Sequence, residues 1–226
     1  IDALRMLAKK AGVKLTRQDP ALANLRSRLN EIMAQAVDFY QAVLWQSPLG
    51  QTGRKYLLER QIAVETAQEF KLGFAPNSWD NLLKYLKNKG FSENDTASAG
   101  LILRKESGSS FYDRFRGRLI FPIIDAHGQI SGLGGRTMAL GSEEEQTAKY
   151  INTPQTLIYN KSQSIYGIDK AKLDIRKKDL AVMVEGYLDV ISSHQAGIKN
   201  VVATSGTALT AEHLKIIKHC KITKIQ

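Results

Sequence analysis

The stretch from Leu180 to Thr210 restricts the possible fold more than any other part of the chain. Its first five residues, Leu180-Ala-Val-Met-Val184, form an unbroken apolar run with β-branched members, the pattern of a strand covered on both faces in a parallel sheet. The run stops at Glu185 and Gly186 turns the chain. Tyr187 to Ala196 then sets Leu188, Val190 and Ile191 at helical spacing, closed by Gly197. A second apolar run, Ile198 to Ala203, predicts another strand, broken by Ser205-Gly206-Thr207. Thr210 opens a further helix with Glu212 in its first turn. Strand, helix, strand, helix in that order implies a parallel sheet and an α/β fold.

Ligands of such sheets sit beyond the carboxyl ends of the strands, where Glu185 lies. Asp189 follows one helical turn later, so both carboxylates are expected to face the same way. Two acids so placed repel each other unless a proton or cation neutralises them, and a magnesium ion carrying substrate phosphates does so naturally. The Gly206-Thr207 turn offers backbone N–H groups and a hydroxyl to an anion near the same edge. Taken alone, a Glu after a strand is usually a solvated loop residue.

The 226 residues suffice for one or two domains, and no apolar run reaches the ~18 residues of a spanning helix. Ile1 to Lys10 alternates charged and apolar groups as an amphipathic helix, not a signal peptide, and the lack of an initiator Met suggests a fragment. A single cysteine, Cys220, permits no internal disulfide and suits a reducing cytoplasm. The four histidines are scattered, so no zinc site is expected and a metal would need oxygen ligands. A net charge of +10 favours a polyanionic partner, nucleic acid by default; the excess is spread along the chain, so folding must assemble any basic groove.

Upstream, apolar spacing is helical to about Gly90. Leu22 to Trp45 predicts one long helix burying Leu25, Leu29, Ile32, Met33, Ala36, Val37, Tyr40 and Val43, ended by the Ser47-Pro-Leu-Gly50 turn. Thr52 to Gln61 continues in helix, and Pro76-Asn-Ser-Trp-Asp80 caps another that buries Trp79, Leu82, Leu83 and Leu86. From Ala97 the period changes to that of strands. Leu101-Ile-Leu, Arg118 to Ile124 and the returning Gln129 to Leu133 are strand-like, with hairpin turns at Ser107-Gly-Ser-Ser and Asp125-Ala-His-Gly128. Pro122 points to a sheet edge or bulge. Gly141 to Thr147 reads as a solvated loop, and charge-rich Asp169 to Asp179 as a helix and link.

Gly132-Leu-Gly-Gly-Arg136 lacks the following helix and downstream acid of a dinucleotide site. It reads instead as a glycine-rich strand end where backbone and Arg136 approach phosphate. Arg116 and Arg118, two apart, would share one strand face able to track a phosphate backbone, or simply be solvated.

Glu185-Gly-Tyr-Leu-Asp-Val190, followed by Ser205-Gly-Thr-Ala-Leu-Thr210, resembles the Toprim module of bacterial DNA-primase catalytic cores. Tyr56-Leu-Leu-Glu-Arg60, Gly73-Phe-Ala-Pro76, Tyr112-Asp-Arg-Phe-Arg-Gly-Arg-Leu-Ile-Phe-Pro-Ile123, Gly132-Leu-Gly-Gly-Arg136 and Lys149-Tyr-Ile-Asn-Thr-Pro154 are similar to that family's motifs, in its order. Gln61 stands where the family usually has Gly.

The resemblance implies an α+β N-terminal subdomain at 1–176 and a partial Toprim β-α-β-α-β unit at 177–226. It further implies a primase: an RNA polymerase making short primers on single-stranded DNA from ribonucleoside triphosphates, with magnesium or manganese, alongside a replicative helicase that binds a region outside this sequence. By that resemblance Glu185 and Asp189 are catalytic and metal-binding. Arg60, Arg116, Arg118, Arg136, Lys149, Tyr150, Asn152, Lys161 and Tyr187 bind nucleotide or template, and Gly206 and Thr207 form a phosphate loop. The Asp-x-Asp pair of a complete Toprim module does not occur, and Lys221 to Gln226 reads as an unfinished strand, so a truncated piece of a larger protein is expected. A Toprim nuclease or topoisomerase would share the two acids, and a module that only binds single-stranded DNA would need neither.

Overall fold

The computed structural model describes residues 19–106, 108, 110–138, 148–204, 206, 208–220 and 224–225. The helix expected at Ile1 to Lys10, the loop expected at Gly141 to Thr147, Ser107 and Ser109 of the expected turn, and Ser205 and Thr207 lie outside them. Helix α1, Pro20–Gln46, starts with Pro20 in its first turn and with Asp19 accepting the Ala21 N–H at 2.9 Å. Its stripe from Leu29 to Leu44 is buried, each large side chain contributing roughly 1.5–3 kcal/mol. Leu25, expected in that stripe, is 37% exposed because the first turns of α1 extend past the core.

A 3-10 turn, Pro48–Gly50, leads into α2, Gln51–Glu59, and α3, Val64–Glu69, follows. Strand β1 is Gly73–Ala75; α4, Asn81–Asn88, and α5, Glu93–Ser98, pack beside α1. Leu82, Leu83 and Leu86 of α4 are buried as expected, but Trp79 is 62% exposed. It precedes the helix, outside the amphipathic repeat that orients the leucines. Strands β2, Ile102–Arg104, and β3, Phe111–Asp113, pair as an antiparallel ribbon.

Strands β4, Arg118–Ile124, β5, Ile130–Thr137, and β6, Tyr150–Asn152, join β1 in an antiparallel sheet of order β1-β4-β5-β6. Asp125 closes the β4–β5 turn, its carbonyl accepting the Gly128 N–H and its carboxylate the His127 and Gln129 N–H groups. Pro122 lies beyond Ile120, the last β4 residue paired with β1, and a register shift follows between Ile123 and Ile124. Its missing N–H therefore costs no ladder bond on the β1 side.

Helix α6, Ile168–Lys178, runs through the expected boundary at 176 and packs on β7, Leu180–Val184, and β8, Val201–Ala203. Between these two strands lies α7, Tyr187–Gln195; after β8 come α8, Ala211–Lys218, capped by the Thr210 hydroxyl, and β9, Lys224–Ile225. The order is β8-β7-β9, all parallel, with β7 in the middle. Val182 and Val184 pack into one hydrophobic cluster and Ala181 and Met183 into another, so β7 is covered on both faces. The second strand is shorter than expected: Ile198 is 51% exposed and pairing starts at Val201. One cluster runs from Phe70 and Phe121 through Tyr166 and Tyr187 to Val201, joining the two sheets in a continuous core.

Candidate active site

The middle strand β7 delivers Glu185 to its carboxyl edge, and the turn at Gly186 starts α7. Asp189, in the first turn of α7, accepts the Gly186 N–H at 3.1 Å, which ties the acid to the strand end. Both carboxylates are exposed, and no ion pair among the described residues engages either. Two such hard oxygen donors, one already oriented by a backbone N–H, fit a divalent cation such as magnesium. Among the described residues no group of three or more His, Cys, Asp or Glu gathers that would suit zinc.

The first residue of α7, Tyr187, is 2% exposed and couples this edge to the antiparallel sheet. Its ring stacks on Phe121 (4.9 Å, 11°), meets Tyr166 edge-on, and its hydroxyl donates to Asn152 Oδ1 at 2.7 Å. The β5–β6 register sets Gly134 opposite Asn152 and Arg136 opposite Tyr150. A Cβ at Gly134 would lie 2.5 Å from the Tyr187 ring, and one at Gly132 2.6 Å from Tyr159. The glycines therefore stand in mid-strand as seats for aromatic rings, a correction to the expected open strand end: phosphate cannot approach backbone that tyrosines cover.

Arg136 stays at the site, 9% exposed, its guanidinium 4.2 Å over the Tyr56 ring; Arg60 lies 5.3 Å over the same ring. The Tyr56 hydroxyl is buried without a hydrogen-bond partner. Tyr150 packs 6.0 Å from Tyr187 and is 41% exposed. Burial raises its pKa most; Arg136 and Arg60 pull it down, while Tyr56 and Asp189 push it up. These opposing influences place Tyr150 within electrostatic reach of two cations and of Asp189. Arg60, Arg136, Tyr150, Asn152, Tyr187 and Asp189 thus form one neighbourhood.

Lys149 is exposed just before β6. Lys161 reaches the same loop as Gly206, its Nζ donating to the Gly206 carbonyl at 3.3 Å. Its backbone is held in turn by α8: His213 Nε2 bonds the Lys161 carbonyl at 3.2 Å, and Thr210 Oγ1 donates to the Ser162 carbonyl at 2.7 Å. Gly206 adopts φ 80; Thr207, its expected partner, is outside the described residues.

Arg116 and Arg118 do not share a strand face. Gly117, at φ 57, breaks the alternation before β4 begins. Arg118 is 5% exposed and donates to the Gly135 and Ala148 carbonyls at 3.1 and 3.0 Å; burial is the main influence lowering its pKa. Arg116 lies 4.4 Å over Trp79 and 5.1 Å over Tyr112, and those two rings meet edge-on at 5.6 Å. Arg114 donates from Nε and Nη2 to the Asn152 carbonyl at 3.3 and 3.1 Å. Tyr56, Trp79, Arg114 and His213 carry this arrangement without standing among the expected site residues. Tyr56 and Arg114 have a sequence signal, their places in the Tyr-Leu-x-x-Arg and Tyr-Asp-Arg-Phe-Arg patterns; Trp79 and His213 are brought in by long-range packing.

Residues 39–172 match the family described as DNA primase catalytic core, N-terminal domain, and residues 182–225 match a Toprim-like family. The DNA primase of Myxococcus xanthus is 38% identical over all of this chain, which covers 36% of that protein. The chain thus spans about a third of the length of that curated relative. The RNA polymerase domain of Mycobacterium tuberculosis primase aligns with a TM-score of 0.81 at 42% identity, covering 88% of this chain and 62% of that one. A primase catalytic domain bound to single-stranded DNA aligns at 0.79 and 36% identity, covering 90% and 61%. None of these relatives favours the nuclease or topoisomerase reading. With its fold, its motif order and more than half its length matched, the chain belongs to the DNA primase catalytic core family.

Proposed function

We propose that this chain is part of a primase that builds RNA primers on single-stranded DNA, joining a ribose 3′-hydroxyl to the α-phosphate of a ribonucleoside triphosphate and releasing pyrophosphate. The observation that carries this reading is a chain of contacts at the carboxyl edge of β7: Asp189 is tied to Gly186, Tyr187 beside it packs 6.0 Å from Tyr150, Tyr150 pairs with Arg136, and Arg136 shares the Tyr56 ring with Arg60. Glu185 and Asp189 hold magnesium or manganese, which when bound supplies Lewis-acid neutralisation of phosphate charge. Arg60, Arg136, Lys149 and Lys161 bind the triphosphate, beside the loop of Gly206 and Thr207. Asn152, held by Tyr187, and the half-exposed ring of Tyr150 position base and sugar. Catalysis on this scheme is positional and electrostatic.

The template follows the exposed Trp79, stiffened by Arg116 and Tyr112; an aromatic face beside a cation suits an unpaired base. Arg118 anchors β4 behind it, holding two carbonyls. We assign residues 1–176 to the N-terminal subdomain and 177–226 to the Toprim part, with contact to a replicative helicase outside both and a cytoplasmic location.

Ribonucleotide incorporation on single-stranded DNA, with the full-length natural protein and magnesium or manganese, tests the reading. Glu185→Gln should lower incorporation at least about 100-fold while DNA affinity stays within about twofold. Retained synthesis would reject the catalytic role of Glu185, and DNA binding without any synthesis by the unaltered protein would leave a binding module.

A further inference from the structure

At the far end of the β4–β5 hairpin from Arg118 and Arg136 the molecule holds a cavity of about 750 Å³. Six residue steps separate the two ends of β4, roughly 20 Å at ~3.3 Å per residue, so the recess lies well away from Arg118 at the other end of that strand. Its size is that of a small-molecule site. Ile124, Leu157, Ile165, Ile168 and Ile216 supply an apolar floor drawn from the antiparallel sheet, the segment before α6, and helices α6 and α8.

The polar groups around it are one-sided. Arg26, His127, Lys172, Arg176 and His219 line the cavity, while Asp125 is the one carboxylate among its lining residues. That carboxylate is already engaged, since its Oδ1 accepts the His127 and Gln129 N–H groups of the turn. Lys172 donates to the Ala126 carbonyl at 2.6 Å, which points its ammonium across the recess towards the hairpin tip. Arg26 and Arg176 are exposed, and none of the ion pairs among the described residues involves them. An apolar floor with uncompensated cations at the rim selects a ligand that is flat and apolar on one side and acidic on the other.

We propose that this cavity binds a small organic anion, its rings on the isoleucine floor and its acidic group held by Arg26, Lys172 and Arg176. A ligand there would touch the β4–β5 tip and both α6 and α8.

Fluorescence titration of the full-length natural protein with 8-anilinonaphthalene-1-sulfonate tests the proposal. One saturable site is expected. The double variant Arg26→Glu/Arg176→Glu should bind at least tenfold more weakly, and N-phenyl-1-naphthylamine, the same rings without the sulfonate, at least tenfold more weakly to the unaltered protein. Both altered side chains are exposed, so thermal melting should be unchanged and weakened binding then reports the site itself. Unsaturable binding, equal affinity in the double variant, or equal affinity for the uncharged dye overturns the proposal.

Discussion

Gln61 adopts φ 55, the left-handed conformation that glycine enters freely and that costs other residues about 1–2 kcal/mol. Gln195 of α7 holds it there: its Nε2 donates to the Gln61 carbonyl and its Oε1 accepts the Ala63 N–H, both at 2.8 Å. The backbone aim after Arg60 is therefore kept although glycine is missing. Gln61→Gly should stabilise the protein by about 0.5–1 kcal/mol, the strain relieved less the extra freedom of the unfolded chain, as read by urea denaturation. A second residue-scale consequence concerns Asp113, which is 3% exposed and caps α4 from a distance, accepting the Leu82 and Leu83 N–H groups at 2.8 and 3.0 Å. Burial outweighs those bonds and pushes its pKa up to about 6. The native state then holds this proton more tightly than the unfolded chain, so the Asp113 contribution to stability falls as pH rises from about 4 to about 6, by on the order of 3 kcal/mol. A carboxyl-carbon NMR titration should find the midpoint near 6; a midpoint below about 4 would mean that the two N–H bonds win.

Strand β5 shows how an element can be shaped for its neighbours. Gly132 and Gly134 make room for Tyr159 and Tyr187 on one face, and a Cβ at Gly135 would meet Phe115 at 2.6 Å on the other. Three glycines weaken a strand intrinsically, and here the loss is offset by ring packing and by pairing on both sides, with β4 and β6. Gly134→Ala should displace Tyr187 and with it Asn152. We expect a loss of about 1–3 kcal/mol in denaturation and a fall in primer synthesis larger than in DNA affinity, because the altered contact lies at the nucleotide side of the site. Equal stability and synthesis in the variant would show that the close seat of the ring is not needed.

Across the whole molecule, the net charge of +10 becomes a surface only through folding. Arg114 and Arg118 are turned inward onto backbone carbonyls, while Arg60, Arg136 and Lys161 gather near the carboxyl edge of β7. Binding to single-stranded DNA should weaken with salt, with a slope near −0.7 per phosphate neutralised, and Lys161→Ala, on the triphosphate side of the site, should leave that slope unchanged while weakening nucleotide binding. Trp79→Ala should act differently: affinity falls roughly 5- to 100-fold through lost stacking while the salt slope and the melting temperature hold, since the ring carries no charge and is 62% exposed. A slope that changes in Trp79→Ala, or an unchanged affinity, would remove the tryptophan from the template path.

Local pattern was enough for the elements around the site. The apolar run at Leu180–Val184, the acid after it, the helical spacing from Tyr187 and the threonine cap at Thr210 each depend on neighbours within a few residues, and each is found in place. The motif order was likewise enough to name the family. What only the tertiary structure decided is which side chains face which. Gly117 separates Arg116 from Arg118, tyrosines distant in sequence cover the glycines of β5, Trp79 emerges beside Arg116, and His213 holds the carbonyl of Lys161. Apart from the Gly117 turn, these contacts join residues tens of positions apart, and no periodicity in the chain encodes them; they follow from two sheets sharing one core, whose packing sets the direction of the side chains at their junction.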